Sequence, residues 1–478
     1  MKNKQSKKSP VTLAYEYLIS NYTFIENNGN IYMYANTDKA KKLYQLTPSN
    51  IRTALVLMSR ERLATEGNIK NVVSYIRGVS EQVCIKKHIF TRVGFDNDAI
   101  YIDTINENKF IKIDSTSVSI EEECPILFFR TGDMLPLPVP YINLSPQMAK
   151  QYILSMEKIV NFDRKSLTLS LIWLMSLFLK DGTYPILMLD GPQGSAKTSS
   201  LSFLTRLVDP REHPLVGIPK NSRDLYVYAQ KNTILAFDNI SEISHSMCDE
   251  LCKLASSGSI TTRKLYSDDE SMVIKAKCLI AFNGIGLNIA RNDILDRAIL
   301  IETQPIDSGY RISESALESL FNKLHKNIFS AIVYAVHFGL KNCKEYCDRN
   351  YIGRLVDVEL WAYRWSPAFL MNPGKLIRRV FNNQNPLQSS VSENNSFCNA
   401  LCHFMEDRNK WKGTITNLMK MLEDKFPNEK SRKDWPKTPQ LAGSQVKRLK
   451  SSLEQHGIFS RSIRNNSCRL VVLEKKNS

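Results

Sequence analysis

The sequence predicts an α/β protein: a largely parallel central sheet flanked by helices, a mixed α+β module before it, and a module of helices and a hairpin after it. Three observations carry this reading. Strand-like and helix-like segments alternate from about residue 148 to about residue 340. A glycine-bearing loop, Gly191 to Thr198, follows the apolar strand Pro185–Leu189 and opens a helix. Basic charge gathers at the C-terminal end, where Glu406 to Ser478 hold 17 Lys+Arg against 8 Asp+Glu, more than half of the formal net charge of +16.

A chain of 478 residues predicts about three domains. Hydrophobic content of 43% and charged content of 23% allow real cores and exclude wholesale disorder. The pI near 9.2 points to an acidic partner, most often nucleic acid. Met1 to Lys8 is polar and lysine-rich with no apolar run after it, unlike a signal peptide. Leu167 to Leu179, the most apolar stretch, is too short to span a bilayer and is expected as a buried helix. A soluble, cytoplasmic protein with no membrane partner is the expectation. Ten cysteines scattered without a secretory signal predict reduced thiols. Cys343/Cys347 and Cys398/Cys402 are each four apart, and His403 follows the second pair. That is one helical turn rather than a usual zinc spacing, so buried thiols are expected.

Five segments are expected. Residues 1–130 form the mixed module, with helices at Val11–Asn21 and Ser49–Arg62. Its strands are expected at Asn71–Val79, Ile89–Arg92, Ala99–Asp103 and Phe110–Asp114, with turns at Asp96-Asn97-Asp98 and Asn106-Glu107-Asn108. Residues 131–165 hold a stiff proline-rich connection, Met134 to Pro140, and a leading helix. Residues 166–345 form the α/β domain, 346–400 a helical connection and 401–478 the terminal module.

The loop Gly191-Pro192-Gln193-Gly194-Ser195-Ala196-Lys197-Thr198 fits the phosphate-loop pattern G-x-x-x-x-G-K-[ST], with Ala196 in place of the last glycine. Glycines let backbone N–H groups converge on phosphate oxygens, and the following helix N-terminus, which includes Ser199, favours anions. Lys197 is suited to the β- and γ-phosphates of ATP, and the Thr198 hydroxyl to Mg²⁺. Some 40 residues on, the apolar strand Thr233–Phe237 ends in Asp238, a second group placed to hold the metal. Asn239 follows it. An amide positions water but accepts no proton, so either positioning suffices or Glu242 supplies the carboxylate. Cys278–Phe282 is another buried strand, ending in Asn283, which could meet the γ-phosphate and attacking water. Arg297 precedes a further strand and could stabilise transition-state charge in a neighbouring subunit.

This ordered set, with Thr262 to Asp269 and Asp293 to Ile299, resembles the AAA+ ATPases. It is most similar to the superfamily 3 and MCM-like helicases of mobile elements and phages. The resemblance is strong from about 125 to 340. It implies an AAA+ phosphate-loop ATPase core and a hexameric ring in which Arg297 reaches the next subunit's ATP. It also implies a pore hairpin that grips DNA, here Ser259–Leu265 and Met272–Lys277, on which Arg263, Lys264 and Lys275 or Lys277 are the available basic groups; Arg263 could equally sense nucleotide in trans. The tip, Ser267 to Ser271, is acidic, unlike the viral relatives.

In the terminal module, Ala400–Glu406 and Thr414–Glu423 read as helices. Thr438 and Pro439 then start a helix to Gln455 whose polar face carries Lys447, Arg448 and Lys450. The strands Ile458–Ile463 and Cys468–Leu473 form a hairpin bearing Arg461, Arg464 and Arg469. Helices, a basic second helix and a hairpin make a winged helix, similar to that of phage and plasmid primases and helicases. The helix is expected in a major groove and the wing arginines on phosphates; the alternative is a winged helix used as a protein–protein module, against which the concentration of charge favours DNA. The leading functional expectation is an ATP-dependent DNA helicase or translocase that replicates a mobile element or phage. It leaves room for a primase or other replication protein as partner. The alternatives are a nucleotide-switched scaffold ATPase that binds DNA without unwinding it, and a DNA-binding regulator with a vestigial site.

Overall fold

The computed structural model describes residues 8–57, 60–256, 258–263, 271–288, 292–307, 309, 311–342, 355–376, 396–431, 435–449, 453–454, 456–464 and 469–475. The fold is mixed α/β with a parallel central sheet, as expected.

The N-terminal module opens with the helix Pro10–Asn21, capped by Ser9, whose hydroxyl accepts from the Thr12 N–H. The antiparallel strands Tyr22–Asn27 and Asn30–Ala35 follow. They are joined by Asn28 and Gly29, both at positive φ, the backbone that a two-residue hairpin turn needs. This hairpin was not among the expected elements, although Asn-Gly between aromatic-rich runs is its signal. Tyr44–Gln45 and Cys84–Lys86 complete its sheet. The expectation of a strand at Asn71–Val79 is overturned: these residues lie in the helix Glu66–Gly78, and Val79 is its C-cap. Ile69, Val72, Val73 and Ile76 are all buried. Their 3–4–7 spacing is helical, and it outweighs the β-branched composition that suggested a strand. A second sheet is an antiparallel meander of Val93–Asp96, Ala99–Asp103, Phe110–Ile113 and Val118–Glu121. Its turns fall at Asn97 and around Asn106–Asn108, as expected.

A buried ionic network joins this module to the central domain. Arg92, with no exposed surface, donates to Asp209 Oδ1 at 3.0 Å and to the carbonyls of Asp103, Leu135 and Pro210. Asp209 Oδ2 accepts from Arg211 Nε, and Arg211 reaches Asp133 and the Lys231 carbonyl. Arg130 grips Asp103 with two bonds. Each buried charge has a partner, without which its desolvation would be costly. The proline-rich segment is therefore fastened: Leu135 N–H donates to the Pro210 carbonyl, and Met134 bridges Arg211.

In the central domain the elements are α1 (Arg164–Met175), β1 (Ile186–Asp190), α2 (Lys197–Arg206), α3 (Ser222–Lys231), β2 (Ile234–Glu242), α4 (His245–Ala255), β3 (Ser259–Arg263), β4 (Ser271–Lys275), β5 (Leu279–Asn288), α5 (Asn292–Leu295), β6 (Ala298–Glu302), α6 (Glu314–Lys341) and α7 (Val356–Trp365). The sheet runs β2-β5-β1-β6, all parallel, and β3–β4 is a separate antiparallel hairpin. Each sheet strand is apolar along most of its length because helices cover both faces. As expected, α1 is a core helix: Ser166 to Met175 are all buried, and Trp173 Nε1 donates to the Ile280 carbonyl of β5. Among the described residues no helix is long and apolar enough to cross a membrane, and no group of three or more His, Cys, Asp or Glu could hold a metal ion.

The long helix α6 braces α2. Arg206 of α2 makes two bonds to Glu318 and lies 4.5 Å over the Phe321 ring. His325, stacked on Phe321, has Nε2 3.2 Å from the Leu207 carbonyl, and burial pushes its pKa down to about 4. Its folded pKa lies below the unfolded value of about 6.5, so the unfolded chain binds the extra proton. Stability should fall as pH drops from about 6.5 towards 4. In His325→Phe this part of the slope should vanish in urea unfolding across that range. An unchanged slope would contradict the assignment.

The C-terminal module has α8 (Ser396–Glu406), β7 (Lys410–Thr414), α9 (Ile415–Lys425), α10 (Pro439–Arg448), β8 (Ile458–Arg464) and β9 (Arg469–Lys475). Thr414 and Thr438 cap α9 and α10, and Pro439 takes the first turn. β8 and β9 pair antiparallel as the expected hairpin. The strand β7 was not expected; it pairs with β9, giving a sheet ordered β7-β9-β8. On α10 Leu441 is half exposed and Ala442 is buried. Cys398 and Cys402 share α8 as free thiols, Cys398 buried and Cys402 partly so; Cys343 and Cys347 lie outside the described residues.

Candidate nucleotide site

The parallel sheet sends β1, β2 and β5 to one edge, and the candidate residues meet there. After β1 the chain turns at Gly191 (φ +152°), where a Cβ would sit 2.4 Å from Thr303 Oγ1. Gly194 (φ +78°) also has the left-handed backbone that favours glycine. The helix α2 then starts at Lys197. Lys197 Nζ donates to the carbonyls of Gly191 (2.7 Å) and Pro192 (2.8 Å), so its ammonium lies at the loop itself.

Asp238 joins the loop to the sheet. Its Oδ1 accepts from Thr198 Oγ1 at 2.9 Å and from Asn283 Nδ2 at 2.7 Å. Asn283, 2% exposed, accepts the Asn239 N–H on its Oδ1 at 2.8 Å. Asn239 has φ +56°, which Asn tolerates, and sits where the β2–β5 register shifts. That shift leaves its side chain exposed and turns its backbone N–H to Asn283. Glu242 lies exposed at the end of β2, with no bond to Thr198, Asp238 or Asn283 among the described residues.

Three bracing residues were not legible in the sequence. Thr303 Oγ1 lies 2.8 Å from Ser195 Oγ and donates to the Asp190 carbonyl. Asn161 Nδ2 donates to the carbonyls of Ser195 and Gln304. Arg311, an exposed residue, places Nη2 3.3 Å from where a Cβ on Gly194 would lie, so its guanidinium borders the loop. None belongs to a contiguous motif, and only the tertiary fold brings them to residues 191–195.

Arg297 does not join this cluster. It precedes β6, whose Ala298 pairs with Ile186 and whose Glu302 pairs with Asp190, so it stands at the opposite edge of the sheet. Five strand residues span about 16 Å, beyond a side chain's reach. Arg297 Nη1 donates to the Asp293 carbonyl and lines an open pocket with Asp249, Glu250 and Lys253 of α4.

The donor set fits a magnesium-bound nucleoside triphosphate. It combines a helix N-terminus, an ammonium group, and a hydroxyl bonded to a carboxylate. Of the expected DNA contacts, Arg461 is exposed and pairs with Glu474 at 3.0 Å. Glu474 also pairs with Lys410, and these contacts hold its carboxyl below the usual range. Arg263 pairs through its backbone with Ser271 at the hairpin end. The side chains of Arg263, Lys447, Arg448, Arg464 and Arg469, and the whole of Lys264 and Lys450, lie outside the described residues.

Residues 153–336 match the model of the actinomycete integrative conjugative element replication protein. Residues 397–478 match the model of the AICE RepA C-terminal domain. No curated protein matches the sequence. Among solved structures, the apo NrS-1 C-terminal region is similar at 11% identity and TM-score 0.41, covering 98% of this chain and 100% of that one. SCCmec type IV Cch, titled an active helicase, is similar at 11% identity and TM-score 0.41, covering 93% and 90%. A full-length MCM homolog from Methanopyrus kandleri is similar at 11% identity and TM-score 0.32, covering 70% and 88%.

Ala196 has φ +56° and ψ +29°, the left-handed conformation disfavoured by a Cβ. That is the structural reason the motif has glycine there. Ala196→Gly should raise the unfolding free energy by about 1 kcal/mol, read as a higher urea midpoint. A lower midpoint would contradict the assigned backbone.

Proposed function

We propose that the chain is an ATP-dependent DNA helicase or translocase that works as a ring, a hexamer, in the replication of a mobile element. The observation that carries this is the bonded set Thr198–Asp238–Asn283 beside the Lys197 loop. The helix α2 N-terminus and Lys197 would hold the phosphates of ATP, with Ser195, Ala196 and Ser199 as part of the cradle. Thr198 and Asp238 would hold Mg²⁺, which neutralises charge on the transferring phosphate. Asn283 fixes the Asp238 carboxylate and the backbone of Asn239, so both are set before substrate arrives. Asn239 would then orient water, with Glu242 as the remaining candidate for a base. Arg311 borders the loop from the same chain and would add positive charge beside the phosphates.

Arg297 is in the wrong place to serve its own loop, which supports a role across a subunit boundary. A ring fits the same reading, because one site would be completed by two chains. The hairpin β3–β4, through Arg263 and Lys264, is the proposed pore contact. The C-terminal module, read as a winged helix, would place α10 with Lys447, Arg448 and Lys450 in a major groove. The wing would add Arg461 and Arg464 on phosphates. A primase or other replication protein is a further proposed partner.

Lys197→Ala should lower ATP turnover by at least about 100-fold in a phosphate-release assay. Arg297→Ala should do the same, and mixing the two inactive variants should restore measurable turnover, because mixed rings hold some complete sites. Full turnover in Lys197→Ala would overturn the site. Absence of rescue on mixing would overturn the shared one.

A further inference from the structure

A second hollow lies away from the phosphate loop, where the N-terminal module meets the central domain. Its volume is about 360 Å³, the size of a small-molecule site. One wall belongs to the N-terminal module and carries Tyr32, Phe90 and Phe129. The rings are braced: Tyr32 packs edge-on against Phe129 with centroids 5.0 Å apart, and His88 packs edge-on against Phe90 at 4.4 Å. The opposite wall comes from the end of α3 and from the segment after β4, Ala276 and Lys277.

Polar groups converge on the same hollow. Asn28 donates its amide to the Lys275 carbonyl, Asn30 donates to Gln230 Oε1, and Asn232 donates to the Tyr228 carbonyl. Each of Asn28, Gln230 and Asn232 thus uses one end of its amide within the protein. Asn28 Oδ1, Asn232 Oδ1 and Gln230 Nε2 have no partner among the described residues. Asn28, Gln230 and Asn232 line the hollow with the rings, so amide groups able to bond the edge of a nitrogen heterocycle stand beside rings able to take its face. Cations stand at the rim. Lys275 is exposed. Lys277 Nζ lies 3.8 Å over the Tyr184 ring. Burial pushes Lys277 down to about 8, against the opposing charges of Asp181 and Asp357. A phosphate at the rim would supply the counter-charge that the hollow itself gives only in part.

We propose that this hollow binds a nucleotide, its base against the Tyr32, Phe90 and Phe129 rings and its phosphate on Lys275 and Lys277. The nucleotide is either one unpaired residue of a DNA strand, which rests on the DNA reading above, or a free mononucleotide. Lys275 ends β4, and Asn28 holds its carbonyl, so the occupant would touch the hairpin base and the N-terminal module together.

Ultraviolet cross-linking with mass-spectrometric mapping on the full-length chain tests this. The two probes are a short oligothymidylate carrying one 5-iodouracil and 5-iodo-deoxyuridine monophosphate. The expected result is a cross-link to Tyr32, His88, Phe90 or Phe129. Labelling by the oligonucleotide alone assigns a DNA strand, and labelling by the monophosphate assigns a free nucleotide. The double variant Gln230→Ala/Lys275→Ala should lower labelling by at least about tenfold. Lys275 is exposed and Gln230 half-buried, so a folded chain is expected, and circular dichroism checks it. Lys197→Ala should leave the labelling intact, which separates this hollow from the phosphate loop. No label in the hollow from either probe, or equal labelling in the folded double variant, would overturn the proposal. A wild-type chain without ATP turnover that still labels here would sink the motor reading and leave this one standing.

Discussion

The carboxylate of Asp238 is the constraint around which the central domain is organised. One oxygen accepts from Thr198 on the helix after the phosphate loop and from Asn283 on the neighbouring strand. Three elements that are far apart in sequence are thereby held in one register at the sheet edge. The parallel order β2-β5-β1-β6 makes this possible, because β5 lies between the strand bearing Asp238 and the strand feeding the loop. Asn283 therefore sits between the two functional elements and can bond both the Asp238 side chain and the Asn239 backbone. A side chain of another length or charge at 283 would leave a buried acceptor or donor unmatched.

A second constraint fixes the N-terminal module on this domain. Arg92, Asp209 and Arg211 form a nearly dry chain of ion pairs that ends at the partly exposed Asp133, and Asp209 lies just beyond α2, the helix that starts at the phosphate loop. Movement of α2 is therefore coupled to the module through charges that cannot be left unpaired cheaply. The same seam contains the aromatic hollow beside the base of the β3–β4 hairpin. The ion pairs and the hollow thus set the N-terminal module against both the end of α2 and the base of the β3–β4 hairpin.

Much of the central domain was legible because its signals are local. An apolar strand followed by Gly191 to Thr198, and apolar strands ending in Asp238 and Asn283, can be read residue by residue. The position of Arg297 on the far edge was not, because it depends on strand register. Thr303, Asn161 and Arg311 were invisible for the same reason, since each meets the loop only through tertiary packing. In the N-terminal module Val72, Val73 and Ile76 suggested a strand by composition, while their spacing encoded a helix. The hairpin at Asn28-Gly29 was legible, since a turn dipeptide between aromatic-rich runs is a local signal. β7 has glycine and lysines at its core, so its pairing with β9 comes from the module's packing and not from strand propensity.

In the proposed motor, nucleotide hydrolysis at the Asp238 site moves DNA. A strand-displacement assay on forked DNA, run with ATP and with a non-hydrolysable analogue, tests it most directly. The account predicts displacement with ATP and none with the analogue, although the analogue still supports DNA binding. Equal displacement in both, or ATP turnover with none in either, would contradict it.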